Sequence, residues 1–309
     1  MDYRILGHIT AYNDLESLNN CIISLSNQTY RLEELLIIDN SPVALAITSS
    51  LSHIPLNIQH YPENIGVAGS LCKGIEYAIR NNFDFIWTFD QDSFTVPSTL
   101  EKLIDFYKNW PVKEEIGIIA CLAVDRITGQ KDGGFLYQNY RFQKISYNAL
   151  KNYYECDAVI TSGSLISCQV ARNVPLPNSL LFIDAVDLDY CTKIRQYNYK
   201  IFVLSSVILA HRFGQSIKVH LPCTSEDRYL YTYSSLRYFY VHRNHTYLEI
   251  RLARTLFWQL VSLIYRILKA VRKIGVILIF ESTEKPFKVY GCLKGTVDGV
   301  IGRLGKTWY

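Results

Sequence analysis

The chain has 309 residues, of which 49% are hydrophobic and 19% charged, with 16 Gly, 9 Pro and a formal net charge of +4. This composition excludes a disordered chain, a collagenous or low-complexity one and a highly charged tail protein. The length allows one large domain or two small ones, with enough apolar residues for a core that needs no metal clip or disulfide staple.

In chain order, residues 4–11 read as an opening strand, and Leu15–Gln28 as a helix with apolar residues at 15, 18, 22 and 25. Leu35–Ile38 is a short apolar run ending in a turn at Asp39, Asn40, Ser41 and Pro42, as a buried strand does. Leu56–His60 reads as a third strand, Ala68–Arg80 as a helix and Phe85–Phe89 as a fourth strand. Ser98–Trp110 is helical by pattern, with Ser98 and Glu101 placed as a capping box. Ile116–Cys121 is the next strand. The alternation then lapses from about Asp125 to Tyr154, where Gly, Asn and Tyr suggest hairpins or an insertion. Asp157–Ser167 resumes an apolar stretch, residues 190–196 read as a helix, Ile201–Ala210 as a strand and the tail after Ser225 as mostly helical. Alternating strands and helices predict an α/β fold with a mostly parallel central sheet, flanking helices and a helical C-terminal extension. The expected division is residues 1–225 as the α/β domain and 226–309 as a basic, apolar helical region.

Eight cysteines stand at 21, 72, 121, 156, 168, 191, 223 and 292, none in a CxxC pair. This argues against a zinc ribbon or a dense disulfide framework, and the cysteines are expected to serve as small buried hydrophobes. Residues 1–5 show neither the basic region nor the apolar run of a signal peptide, so a cytoplasmic location is expected.

Charge is unevenly placed. Up to Ser235 the net is −5, and the last 74 residues carry +9, with 13 Lys/Arg against 4 Asp/Glu. Leu256–Tyr265 is uncharged, then come Arg266, Lys269, Arg272 and Lys273, then Ile274–Phe280. Neither uncharged run reaches the ~18 to 20 residues that span a bilayer. The mixture suits a helix lying on an anionic membrane surface, or one packed on its own domain or in a homodimer. No nucleic-acid motif accompanies the positive charge.

Several polar residues fall where an α/β sheet places ligands. Asp39 and Asp90 each follow an apolar strand, at the edge where crevices form. Asp90 and Asp92 are two residues apart and suit Mg²⁺ or Mn²⁺, or else cap a turn. Asn64, Gly66, Ala68 and Gly69 form a turn opening a helix, whose N–H groups favour anions; a purely structural turn is equally compatible. Asp184, Asp187 and Asp189 are three carboxylates in six residues, one of which can serve as a general base, or all of which can cap a helix. His211 ends the last strand before Arg212 and is of a type that ligates Mn²⁺-class ions.

Taken in order, these pieces resemble the inverting glycosyltransferases of family 2, which have the GT-A fold. The resemblance covers about residues 4–245. It runs through Thr10–Asn13, Ile38–Ser41, Asn64–Gly69, Asp90–Ser93, Thr161–Ser164, Asp184–Asp189 and His211–Gly214. The Asp90-Gln91-Asp92-Ser93 form, with Arg237, Tyr240, Arg243 and Asn244, looks most like the bacterial rhamnosyltransferases that build surface polysaccharides.

The resemblance implies a nucleotide-sugar donor beside Ala11 and Tyr12, with Asp39 on the base or ribose. Asn64, Gly66, Asp90, Gln91 and Gly163 would help to hold that donor. Asp92 and His211 would ligate Mg²⁺ or Mn²⁺, and the Thr161–Ser164 loop would border the sugar and acceptor. The family's Glu-Asp catalytic pair falls on Val186 and Asp187, which makes Asp187 the base. The missing Glu leaves Asp184 or Asp189 to supply nearby negative charge. The family's following Arg falls on Lys193, while Arg212 or Arg243 would help to neutralise the diphosphate. The implied donor is dTDP-L-rhamnose and the acceptor a lipid-linked or oligosaccharide hydroxyl. UDP-galactofuranose, UDP-glucose or UDP-N-acetylglucosamine are alternative donors. A nucleotidyltransferase or a non-catalytic carbohydrate-binding protein are alternative classes. The resemblance further implies a cytoplasmic enzyme peripheral to the inner face of the plasma membrane.

Overall fold

The structure is a computed structural model describing residues 2–145, 151–220 and 227–308. The chain begins with β1 (Ile5–Ala11), α1 (Leu15–Ser26), β2 (Glu34–Asp39), β3 (Leu56–His60), α2 (Gly66–Arg80) and β4 (Phe85–Asp90). Next come β5 (Phe94–Thr95), α3 (Thr99–Asn109), β6 (Ile116–Asp125) and β7 (Lys131–Asp132). A hairpin of β8 (Phe135–Gln138) and β9 (Arg141–Lys144) fills part of the stretch where alternation lapses. It is followed by β10 (Tyr153–Cys156), β11 (Ser164–Ser167), α4 (Cys168–Ala171), α5 (Val186–Gln196) and β12 (Lys200–His211). The remainder is β13 (Gln215–His220), β14 (Asp227–Thr232), α6 (Ser235–Leu252), α7 (Leu256–Phe280) and α8 (Lys285–Ile301).

The main sheet runs β10-β12-β6-β11-β4-β1-β2-β3, with β5 added on β12 and β7 on β6. β1 is parallel to β2 and β4, β2 to β3, and β12 to β6. β11 runs antiparallel between β4 and β6. Leu35–Ile38 and Phe85–Phe89 are buried without a break. Successive strand residues face opposite sides, so unbroken burial means that both faces of the sheet are covered.

Local chemistry sets the helix starts. The Asp14 carboxylate accepts from Ser17 N–H at 3.0 Å and caps α1. Asn64, at φ 55°, accepts from Gly66 N–H at 2.9 Å and turns the chain into α2. The capping box expected for α3 does not form. Ser98 makes no side-chain cap bond, and Glu101 instead accepts from the Thr29 hydroxyl at 2.8 Å. His8 is fully buried on β1 under Gly74, where an added Cβ would stand 2.6 Å from the imidazole. Its Nε2 lies 3.2 Å from the Ser70 hydroxyl, and burial pushes its pKa down to about 4. The seven described cysteines are free and six are buried; Cys223 lies outside the described residues.

The chain divides into two compact units, the first of residues 1–136, 143–179 and 186–212, the second of 137–142, 180–185 and 213–309. The expected change-over after residue 225 falls outside the described residues, between two strands that pair from Gln215–Thr232 to His220–Asp227. In the second unit, α6 and α8 meet backbone to backbone through Gly291, Gly295 and Gly299, four residues apart on one face of α8. A Cβ on Gly291 would stand 2.7 Å from the carbonyl oxygen of Ser235, and Gly295 and Gly299 lie as tightly against those of Phe239 and Arg243.

Candidate active site

Parallel register lines up the strand ends. Ala11 is opposite Asp39, and Thr10 is opposite Asp90, so the ends of β1, β2 and β4 share one edge of the sheet. β5 carries the chain from that edge to β12, pairing Phe94 with Ala210 and Thr95 with Leu209. This short pairing brings the turn after β4 against His211. Asp92 Oδ1 lies 3.3 Å from His211 Nδ1, and Asp90 Oδ2 lies 3.9 Å from His211 Nε2. Ser93, which the sequence pattern contained but gave no role, puts its hydroxyl 2.9 Å from His211 Nδ1.

The Thr161–Ser164 loop closes the same edge. Ser162 accepts from Asp90 N–H at 3.1 Å, and its hydroxyl is 2.6 Å from that of Ser93. The Thr88 hydroxyl donates to the carbonyls of Thr161 and Ser164. Gly163 has φ 78°, a conformation that disfavours a side chain, and a Cβ there would stand 2.9 Å from Leu209. Thr161 and Ser164 also line a nearly closed apolar crevice of about 10 Å³ with Val159, Tyr190, Cys191 and Asp187. Asp187 opens α5, its Oδ1 accepting from Leu188 N–H at 2.9 Å. One loop thus touches the Asp90–His211 cluster and borders the same small crevice as Asp187.

Other expected donor-site residues have backbone duties. Gln91 grips Tyr12 with two bonds, accepting from its N–H at 2.8 Å and donating to its carbonyl at 2.9 Å. Tyr12 is half exposed, while Ala11 is buried. Asp39 is 1% exposed and accepts from Ser41 N–H at 2.9 Å and Leu45 N–H at 2.8 Å. It shapes the 41–45 loop. Asn40 accepts from Ile65 N–H at 3.0 Å and ties that edge to the Asn64–Gly66 turn. Arg212 is exposed, and its charge helps to hold the Asp14 carboxyl below the usual range, after the hydrogen bonds from Ser17.

Three further expected residues have partners within the fold. Arg243 is fully buried and donates to the carbonyls of Leu180, Leu181 and Gly305, so its guanidinium is committed to backbone and not to a diphosphate. Desolvation pushes its pKa down to about 10. Its neighbour Asn244 donates to the carbonyls of Leu181, Ile183 and Asp184. Together they hold a strained turn in which Phe182, Asp184 and Ala185 have φ 65°, 65° and 58°. The second is Asp189, which is buried, pairs with Lys193 at 2.7 Å and accepts from Asn178 N–H at 2.8 Å. The third is Asp184, paired with Arg237 at 3.3 Å. Neither acid is an uncompensated negative charge, and Lys193 is likewise occupied.

The cation implied for this site can be tested against its donors. Carboxylate and imidazole together suit Mg²⁺ or Mn²⁺, and Asp92 and His211 already stand within contact of each other. Among the described residues, no group of three or more His, Cys, Asp or Glu side chains is arranged to hold a metal ion. Two protein donors plus substrate phosphates is the usual arrangement for a hard cation at a nucleotide, so the residues fit. A separate shallow cavity of about 520 Å³, lined by Asp105, Phe106, Trp110 and Tyr153 among others, includes none of these residues.

Residues 8–170 match the family model described as glycosyl transferase family 2. The chain is 25% identical over 317 residues to the dTDP-rhamnosyl transferase RfbF of Shigella flexneri, covering 99% of this chain and 98% of that one. Among solved structures, S. aureus TarS 1-349 in complex with UDP-GlcNAc is similar with TM-score 0.55 and 15% identity, over 97% of this chain and 82% of that one. The mannosyltransferase PcManGT of Pyrobaculum calidifontis, in complex with GDP-Man and Mn2+, gives TM-score 0.53 and 11% identity, over 98% and 88%. The fold is that of the GT-A transferases. With more than half of its length on the family model, and the acidic turn, loop and histidine gathered at one sheet edge, the chain belongs to glycosyl transferase family 2.

Proposed function

We propose that the protein transfers L-rhamnose, with inversion, from dTDP-L-rhamnose to a hydroxyl of a lipid-linked saccharide in the synthesis of a bacterial surface polysaccharide. The near-full-length similarity to a dTDP-rhamnosyl transferase supports the donor. The observation that carries the reading is the Thr161–Ser164 loop, which touches the Asp90–His211 cluster and borders the same small crevice as Asp187.

Asp187 takes the proton of the acceptor hydroxyl as that oxygen attacks the anomeric carbon. The bond from that carbon to the nucleoside diphosphate breaks in the same displacement, which inverts the centre. Asp92 and His211 would hold Mg²⁺ or Mn²⁺, which supplies positive charge for the departing diphosphate. Tyr12, fixed by Gln91, flanks the nucleotide, Asp90 supports the nucleotide sugar, and Arg212 offers a further cation to the phosphates. Asn64 and Gly66 shape the turn beside the donor, and Asp39 orders the loop against its base. The N-terminal portion carries this chemistry, and the basic C-terminal helices keep the enzyme at the inner face of the plasma membrane.

The test is a screen of purified protein against dTDP-rhamnose, UDP-galactofuranose, UDP-glucose and UDP-N-acetylglucosamine, with Mg²⁺, Mn²⁺ or chelator, followed by linkage analysis of the product. Turnover of dTDP-rhamnose alone, abolished by chelator and giving the inverted anomer, is expected. Preferred turnover of a UDP-sugar overturns the donor, and a retained anomer overturns the mechanism.

A further inference from the structure

Helices α7 and α8 bury charged and small residues beside a few apolar ones, Ile277 and Cys292 among them, and turn a large apolar stripe outward. The buried stripe of α7 is Ser262, Arg266, Ala270 and Ile277. Its outward stripe includes Phe257, Leu260, Ile264, Leu268, Val271 and Ile279, each between 51% and 72% exposed. On α8 the buried residues include Lys288, Gly291, Gly295, Thr296 and Asp298. Phe287, Tyr290, Leu293, Val297 and Ile301 face outward, between 52% and 65% exposed. Steps of three and four residues put each set on one side of its helix. α7 and α8 pack on each other, so both stripes belong to one helical layer.

The buried charges are compensated inside. Arg266 stands 3.8 Å from Glu249, Lys288 is 2.8 Å from Glu281, and Lys294 pairs with Asp298. Those pairs hide two of the three acids that follow Ala253, leaving Glu284 as the exposed one. Arg254, Lys269, Arg272, Arg303 and Lys306 are all exposed. Lys269 and Arg272 are on α7 itself beside the outward Leu268 and Val271, so this surface combines aliphatic and aromatic side chains with cations. Apolar surface on this scale seeks cover, and the charge selects what covers it. A symmetric second copy would bring the same cations face to face. An anionic leaflet neutralises them and takes up the apolar side chains. No helix among the described residues is long and apolar enough to cross a membrane, so the helices lie in the plane of the interface.

We propose that the outward face of α7 and α8 seats the protein on an anionic lipid leaflet, with the apolar stripe in the boundary between headgroups and acyl chains and the cations on lipid phosphates. Its purpose rests on the proposed action at a lipid-linked acceptor, but the docking itself is read without any sugar substrate. The full-length protein is sedimented with phosphatidylcholine vesicles, with and without phosphatidylglycerol. Partition into phosphatidylglycerol vesicles, weakening as salt is raised, is expected. Ile264→Glu combined with Leu268→Glu lowers that partition by about tenfold or more, with an unchanged thermal midpoint because both side chains already face outward. Lys269→Gln with Arg272→Gln removes mainly the salt-sensitive part. Protein left in the supernatant at low salt overturns the proposal. So does a discrete solution dimer that the Ile264→Glu, Leu268→Glu variant converts to monomer while the parent ignores vesicles. Transfer to a short soluble acceptor is measured in parallel. Vesicle binding lost with transfer intact sinks only the docking face, and the converse sinks only the transferase reading.

Discussion

The Ser93 hydroxyl lies 2.9 Å from Nδ1 of His211, 118 residues later in the chain. The contact joins the turn after β4 to the end of β12 and is continued by Ser162 at 2.6 Å. It fixes the orientation of an imidazole that faces two carboxylates. Ser93→Ala should raise the Mn²⁺ or Mg²⁺ concentration needed for half-maximal activity by roughly tenfold to a hundredfold, the usual effect of losing an outer partner of a ligand. Metal titration of initial rates checks this, and an unchanged half-maximal concentration would show that Ser93 does not orient His211 toward the proposed cation.

Asp187→Asn keeps the shape of the side chain but removes its basicity. We expect kcat to fall by roughly a hundred- to ten-thousand-fold, with the KM for donor nearly unchanged. Steady-state kinetics separate the two parameters. A parent-like kcat would transfer the base to another group.

Gly163 joins the two halves of the site through a backbone angle that a side chain resists. Gly163→Ala should cost about 1–3 kcal/mol in stability, from φ 78° and from the close approach of Leu209. Activity should fall more than the fraction unfolded, because Ser162 would shift away from Asp90. Denaturant titration beside rate measurements tests it.

Arg243 gives the opposite pattern. Its substitution by Met removes the guanidinium donor from the carbonyls of Leu180, Leu181 and Gly305, of which Leu181 keeps Asn244, and a loss of about 1–3 kcal/mol is expected. Arg243→Lys should recover only part, since a single ammonium cannot reproduce the fork. The thermal midpoint should drop while the donor KM stays flat. A rise in donor KM without destabilisation would restore a diphosphate role.

Acid should destabilise the protein through His8, whose pKa is pushed from 6.5 down to about 4 by burial. Its Nδ1 has no hydrogen-bond partner among the described residues. The unfolded chain takes up this proton as pH falls past 6.5, and the folded chain not until about 4. Stability is therefore full above 6.5 and is lost as pH falls to about 4, by up to ~3 kcal/mol. His242, pushed down to about 3, acts in the same direction. Thermal midpoints from pH 7 to 4 should fall, and His8→Asn should flatten the slope.

Much of this protein is written in local pattern. The apolar runs 35–38 and 85–89, and the helical spacing of 15, 18, 22 and 25, lie within the strands and helix of the structure because period and burial are properties of a short window. The placing of Asp39, Asp90 and His211 at strand ends follows from the same patterns, and strand ends gather at one edge when strands run parallel. What neighbours each polar group was decided by tertiary structure. Arg243 and Asp39 look from sequence like ligand contacts, yet both are committed to backbone through loop geometry that periodicity does not encode. Ser93 gained its partner because a two-residue strand, β5, pairs with β12. The outward apolar faces of α7 and α8 were equally hidden. A helical pattern gives two faces, and only the packing around Arg266 and the glycines of α8 shows which one turned inward.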